Sequence, residues 1–241
     1  MANLWIDPSG PSRTPVAIVT GASRGLGLEL ARRLAAEGWG VVVDARHASE
    51  LEAAVAGLGP RVRAVPGDVT DAAHRERLVA EASALGDLAL LVNNASTLGP
   101  VPRPALARYP LPALREVFET NAIAPLALAQ LCLPHLEGVG GVVVNVTSDA
   151  AVEGYAGWGG YGAAKAALEQ LSRVLAAEHP RVRVYWVDPG DMNTRMQQEA
   201  FPGEDVSDRP PPSASVPGIL RLVEERPPSG RYLARAEEVV G

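Results

Sequence analysis

Cysteine is almost missing: Cys132 is the single thiol in 241 residues. One thiol cannot close an intramolecular disulfide or furnish a multi-thiolate zinc site, and it suits a reducing compartment. Basic residues do not predominate either, with 22 Lys+Arg against 28 Asp+Glu and a formal net charge of −6. That balance argues against a domain that grips phosphate backbones by charge, so nucleic acid is not an expected partner. No uninterrupted apolar run of about 18 residues occurs, and no membrane span is expected. The start, Met1 to Pro8, lacks a basic flank and an apolar core, so export is not expected and a cytoplasmic location is. The four histidines, His47, His74, His135 and His179, are scattered without ligand spacing, which leaves no metal site to expect.

What is present is a globular composition, 47% hydrophobic, in strands that alternate with helices. After an irregular lead-in over 1–14, the β-branched run Val16-Ala17-Ile18-Val19-Thr20 stops at Gly21 and reads as a strand buried on both faces. Leu26, Leu30 and Leu34 then recur at helical spacing over Gly25–Ala36. Further strands are expected at 39–43, 62–65, 88–92, 141–146 and 182–187, and at 230–234 after a proline-rich loop. Further helices are expected at 50–58, 71–85, about 112–136 and about 162–178, with one last helix before the final strand. Such alternation implies βαβ units, hence a doubly wound, Rossmann-type, mostly parallel sheet in a three-layer α/β/α single domain over 15–241.

Thr20-Gly21-Ala22-Ser23-Arg24-Gly25-Leu26-Gly27 joins the first strand to the first helix. Glycines there let a phosphate approach the backbone, and the helix behind offers unpaired N–H groups and a positive dipole end. The flanking strand and helix are the context that turns three glycines into a nucleotide-binding turn. Here the chain resembles the short-chain dehydrogenase/reductase family, whose motif is T-G-x-x-x-G-x-G, over about 15–195. The resemblance implies a nicotinamide dinucleotide contacted by Gly21, Ser23, Arg24, Gly25, Leu26 and Gly27. It also implies contacts from Asp68-Val69 to adenine and from Asn94-Ala95, where Ser96 stands in place of the family's glycine.

The end of the second strand, Val43-Asp44-Ala45-Arg46-His47, offers both signs of charge. An acid there binds ribose hydroxyls, whereas an arginine accepts a 2′-phosphate. The resemblance places the acid of NAD-using members at Ala45. Asp44 is one position short and on a strand should face the other way. Arg46, with Arg24 nearby, can reach over the ribose, so NADP(H) is favoured over NAD(H). Both arginines also read as plain solvated charge.

Tyr161 and Lys165 lie four apart on one expected helix, so phenol and ammonium share a face. A phenol titrates near 10, and lowering it by about 3 units takes roughly 4 kcal/mol of preferential phenolate stabilisation. The Lys165 cation and an oxidised nicotinamide ring have the sign to supply it. Ser148 ends a strand thirteen residues before Tyr161, where α/β sites form. The resemblance makes Tyr161 the general acid/base and Ser148 the holder of the substrate oxygen. It makes Lys165 the tuner of Tyr161 and a ribose ligand, and Asn121 the support of a proton relay. Pro125, four residues on, has no N–H and leaves the Asn121 carbonyl without its helical donor. Pro189, Gly190, Met192 and Thr194 match the family's P-G-x-x-x-T segment and are expected against the nicotinamide.

Cys132 reads as a small buried hydrophobe. Met192, Met196, Trp158 and Tyr155 are open between substrate wall and plain packing. The segment 195–212 is expected as a flap over the pocket, and its Phe201, Pro202 and Asp205 match no known pattern. The expectation is an NADP(H)-dependent oxidoreductase moving a hydride between nicotinamide and a small carbonyl or secondary alcohol. The alternatives are an NAD-dependent alcohol dehydrogenase of the same family and a non-catalytic NADPH-binding sensor or scaffold. A homo-oligomer is expected, a dimer through the 112–136 and 162–178 helices, with tetramer formation left open.

Overall fold

The computed structural model describes residues 14–235; most of the lead-in and the last six residues lie outside them. Seven strands form one wholly parallel sheet in the order β3-β2-β1-β4-β5-β6-β7. They are β1 Pro15–Val19, β2 Gly40–Ala45, β3 Val62–Pro66, β4 Asp87–Asn93, β5 Val142–Val146, β6 Arg183–Asp188 and β7 Gly230–Leu233. The central strands β1 and β5 are buried at every position, which is why they read as unbroken β-branched runs rather than alternating ones.

Two apolar layers sandwich the sheet. One joins α1 (Gly25–Ala36) to the sheet through Leu26, Leu30 and Leu34, and includes Ile219 and Val223 of the late helix Val216–Glu225. The other gathers Leu78 and Ala82 of Ala72–Leu85 with Leu128, Cys132 and Leu136 of Ala124–Val139 and Leu175 of Gly159–Glu178. Cys132 is therefore a core residue, as its apolar setting predicted, and burial pushes its thiol well above the ordinary range.

Numbered in chain order, the helices after α1 are α2 Ala48–Val55, α3 Ala72–Leu85, α4 Leu111–Phe118, α5 Ala124–Val139, α6 Gly159–Glu178, α7 Arg195–Ala200 and α8 Val216–Glu225. Two depart from expectation. α2 sits earlier than 50–58, because Ala56 is extended and Gly57 takes φ +83°. The single helix expected at 112–136 is two helices joined by a π-helical turn, Glu119–Ile123, in which the Ala124 N–H donates to the Glu119 carbonyl. Pro125 follows at once, and a widened turn relieves the ring clash a proline brings to a helix interior. The run Leu111–Val139 is long and apolar enough by length and composition to cross a membrane. Leu128, Ala129, Cys132, Leu133 and Leu136 of this run belong to the core beside β4 and β5, whereas Leu111, Ile123 and Val139 are exposed.

Neighbouring β1 and β4 send the chain in opposite directions across the sheet, β1 towards β2 and β4 towards β5. A doubly wound sheet opens a crevice beyond its carboxyl ends at that point.

Candidate active site

A cleft of about 930 Å³ opens at the carboxyl ends of the strands. The wall includes Gly21, Ser23, Arg24, Gly25 and Leu26 of the glycine turn, and Arg46, Asp68, Val69, Asn94 and Ala95 further along. Tyr161, Lys165, Pro189, Met192 and Thr194 complete the expected set on that wall.

The glycine turn is built for close approach. Gly21 has φ +67°, and a Cβ there would stand 2.8 Å from the Ala95 Cα. Thr20 Oγ accepts from the N–H groups of Asn94 and Ala95, each at 3.0 Å, tying this turn to the loop after β4. Arg24, at the N-cap of α1, is extended and makes no side-chain cap, so the first turn presents its N–H groups to whatever occupies the cleft. Such an end accepts a phosphate, and the residues present therefore fit a dinucleotide. Gly27 is not on the wall. It lets α1 pack, since a Cβ would meet the Asn94 amide at 2.6 Å and the Gly21 carbonyl at 2.7 Å.

Asp44 lies on the cleft wall with its carboxylate tied inward. It is 1% exposed, with Oδ1 accepting from the Gly21 N–H at 2.7 Å and Oδ2 lying 3.0 Å from His74 Nε2. Arg77 donates to His74 Nδ1 at 3.2 Å, which leaves the proton on Nε2 to be given to Asp44. Burial raises the Asp44 carboxyl above its usual range, against the lowering pull of those hydrogen bonds. His74, dismissed as scattered, is thus the buried partner of the acid that holds the glycine turn; only the strand-to-helix packing brings it there. Arg46 and His47 are exposed at the rim. Arg24 pairs with Glu50 at 3.6 Å, a solvated contact worth little. Glu50 also lines the cleft, and nothing in its local pattern singles it out.

α6 carries Tyr161 and Lys165 on one face, as their spacing predicts. It docks closely because Gly160 and Gly162 flank the tyrosine: a Cβ on Gly162 would meet the Ala150 carbonyl at 2.4 Å, and one on Gly160 the Tyr109 ring at 2.4 Å. The Tyr161 hydroxyl hydrogen-bonds with Ser148 and with Ser96. Ser148 Oγ donates to Asp149 Oδ1 at 2.8 Å and accepts from the Ala150 N–H at 3.2 Å. Lys165 Nζ donates to the Val146 carbonyl at 2.7 Å and lies 5.6 Å from the Tyr161 ring centre.

Burial pushes Tyr161 up to about 12 and Lys165 down to about 8. Desolvation disfavours both charged forms, and the lysine spends its bond on a carbonyl.

Asn121 is fully buried at the π-helical turn, behind the cleft wall. Its side chain clamps the 96–97 loop, accepting from the Thr97 N–H at 2.9 Å and the Ser96 hydroxyl at 3.2 Å while donating to the Thr97 carbonyl at 2.8 Å. Ser96, treated from sequence as a tolerated replacement for glycine, therefore bonds both Asn121 and Tyr161. Gly190 is also off the wall; it has φ +69° and turns the chain after Asp188, whose Oδ1 accepts its N–H at 2.9 Å. Thr194 Oγ caps α7 by accepting from Gln197. Met192 packs with the sheet core, and Tyr155 donates to Asp149, whereas Trp158 and Met196 pack on Tyr161.

One buried network escaped the sequence reading. Glu169 accepts from Thr147 at 2.9 Å and from Arg231 Nε at 3.0 Å; Arg231 Nη2 reaches Asp188 at 3.1 Å and the Ser148 carbonyl at 3.3 Å. The available signal was the repeat of four, since Glu169 continues the Tyr161–Lys165 stripe on α6.

A doubly wound parallel sheet, a glycine turn feeding an uncapped helix and a tyrosine–lysine face at the switch point define a dinucleotide-binding oxidoreductase. The model of the short chain dehydrogenase family matches residues 15–205, and the chain belongs to that family. It is 38% identical over 197 residues to 1-deoxy-11-beta-hydroxypentalenate dehydrogenase of Streptomyces arenae, covering 77% of this chain and 70% of that one. It is likewise 38% identical over 208 residues to sepiapterin reductase of Meriones unguiculatus, covering 80% and 79%. Among solved structures, a short chain dehydrogenase of Shigella flexneri complexed with NADP superposes with a TM-score of 0.83 at 27% identity, covering 92% of this chain and 97% of that one. The chain is accordingly an enzyme of the dehydrogenase/reductase class acting on CH–OH or C=O groups with a nicotinamide cofactor.

Proposed function

We propose that the enzyme is an NADP(H)-dependent reductase of a small carbonyl compound, or the corresponding alcohol dehydrogenase, with Tyr161 as general acid/base. The observation that carries this is the Tyr161 hydroxyl held by Ser148 and Ser96 at the wall of the dinucleotide cleft, with Lys165 on the same helix face. When bound, the reduced nicotinamide supplies the hydride. Tyr161 Oη gives its proton to the substrate oxygen, and Ser148 Oγ holds that oxygen in place. Lys165, already driven towards neutrality by burial, takes up charge readily once a phenolate forms beside it. Asn121 keeps Ser96 and Thr97 in register behind the phenol.

The preference for the 2′-phosphate rests on charge placement. Asp44 spends its carboxylate on Gly21 and His74, while Arg46 stands exposed at the rim beside Asp68 and Arg24 can exchange Glu50 for a phosphate. Helix α7 and the turn after it, over 195–212, form the flap. It is held down by Arg209, which pairs with Asp191, Glu204 and Asp208. A homodimer through the faces of α5 and α6 remains part of this reading.

Steady-state oxidation of NADPH against a panel of aldehydes and ketones tests the proposal, together with fluorescence titration of both reduced cofactors. Turnover is expected, with NADPH bound at least about tenfold more tightly than NADH and the ratio collapsing in Arg46→Ala. Tighter NADH binding, unmoved by Arg46→Ala, would assign NAD instead; binding without turnover would favour the sensor alternative.

A further inference from the structure

Resting on the reductase reading above, we infer that the substrate carries a carboxylate remote from its reacting carbonyl, received by Arg103 in a side pocket beside Tyr161. Arg103 follows β4 and stands with its guanidinium carbon 3.9 Å from the centre of the Trp158 ring and 5.0 Å from that of Phe201. Trp158 in turn meets Tyr161 edge-on at 5.6 Å. One aromatic ring therefore separates the cation from the phenol.

The side pocket, about 180 Å³, is lined by Val101, Pro102, Arg103, Gly157, Glu199 and Pro202 among others. Val101 and Glu199 also belong to the wall of the main cleft, so the two spaces adjoin. A substrate seated at Tyr161 can extend into it.

The chemistry of Arg103 calls for an anion. Its Nη1 is buried and has no hydrogen-bond partner, although a guanidinium presents five donors in a fixed fork. No carboxylate stands within 4 Å of it among the described ion pairs; Glu204 acts on it from further away, and burial outweighs that pull in lowering its affinity for a proton. A desolvated guanidinium donor without an acceptor is costly and rare, so its retention calls for a partner. Arg209 makes the contrast. It lies 5.3 Å from the centre of the same Phe201 ring, yet three carboxylates, Asp191, Glu204 and Asp208, already pair with it. Glu199, the acid on the pocket wall, is engaged by Arg195 at 2.8 Å. The two ring contacts hold the Arg103 guanidinium in place, and its five-donor fork suits bidentate capture of a planar carboxylate.

The test compares keto carboxylates of graded chain length with their methyl esters, using wild-type enzyme, Arg103→Gln and Arg103→Lys with NADPH. Wild type is expected to favour at least one free acid over its ester by about tenfold or more in kcat/KM. Arg103→Gln should erase that preference through KM for the acid, leaving ester turnover and NADPH affinity unchanged, and Arg103→Lys should restore part of it. Esters accepted as well as acids, or both lowered equally by Arg103→Gln, would overturn the carboxylate assignment and leave the reductase reading standing. Should no carbonyl be reduced, calorimetric titration of hexanoate and hexanamide into the enzyme–NADP⁺ complex decides. Preferential hexanoate binding that Arg103→Gln abolishes supports the anion site, and equal binding refutes it.

Discussion

Tyr161 and Lys165 are displaced from their ordinary titration ranges in opposite senses by one cause. Burial keeps the phenol neutral and pushes the amine towards neutrality. The lysine makes this measurable. Its folded value of about 8 lies below its ordinary 10.5, so between those limits the unfolded chain binds more protons and stability rises with pH. Tyr161 opposes this only above about 10, where the unfolded phenol ionises first. In nucleotide-free protein, the unfolding free energy of wild type relative to Lys165→Met should therefore increase from about pH 7 to about pH 9.5; a flat difference would contradict the burial account. At this scale the sequence spoke unevenly. Tyr161, Lys165 and Arg46 could be chosen from motif and register. His74 and Ser96 could not, because each gains its role from a residue at least 25 positions distant, Asp44 and Asn121 in turn.

α6 shows how an element turns residue types into geometry. Its first turn reads as poor helix, with Gly159, Gly160 and Gly162 around Tyr161, yet Gly162 lets the backbone touch the 149–151 turn while Gly159 and Gly160 make room for Leu106 and Tyr109. Gly162→Val would drive a Cβ into the Ala150 carbonyl and should cost about 2 kcal/mol or more of stability while lowering turnover further by displacing Tyr161 from Ser148. Urea unfolding and kcat measured together check this; unchanged stability would mean the close contact is not maintained. Strand positions were legible to within about two residues, because strands buried on both faces leave unbroken apolar runs. The π-helical turn was not legible as such. Pro125 announced a disturbed helix, but whether the chain kinks or widens depends on what packs against it, here the Asn121 clamp on the 96–97 loop.

For the molecule as a whole, the parallel order β3-β2-β1-β4-β5-β6-β7 brings the glycine turn, the loop after β4, Ser148 and the segment after β6 to one edge, although they span some 170 residues. Local propensity and alternation carry that topology, since right-handed crossovers leave few ways to wind such a chain. The substrate side is a different matter. Trp158, Phe201 and Arg103 come from three separate segments, and no periodicity links them, so the side pocket emerges only when those segments are folded together. The names of the relatives differ in substrate, which leaves the choice to those walls. The most direct test of the whole account is Tyr161→Phe, assayed for NADPH affinity and for turnover on the best carbonyl substrate. Binding within about twofold of wild type with turnover reduced by about a thousandfold or more is the predicted result. Turnover close to wild type would contradict it.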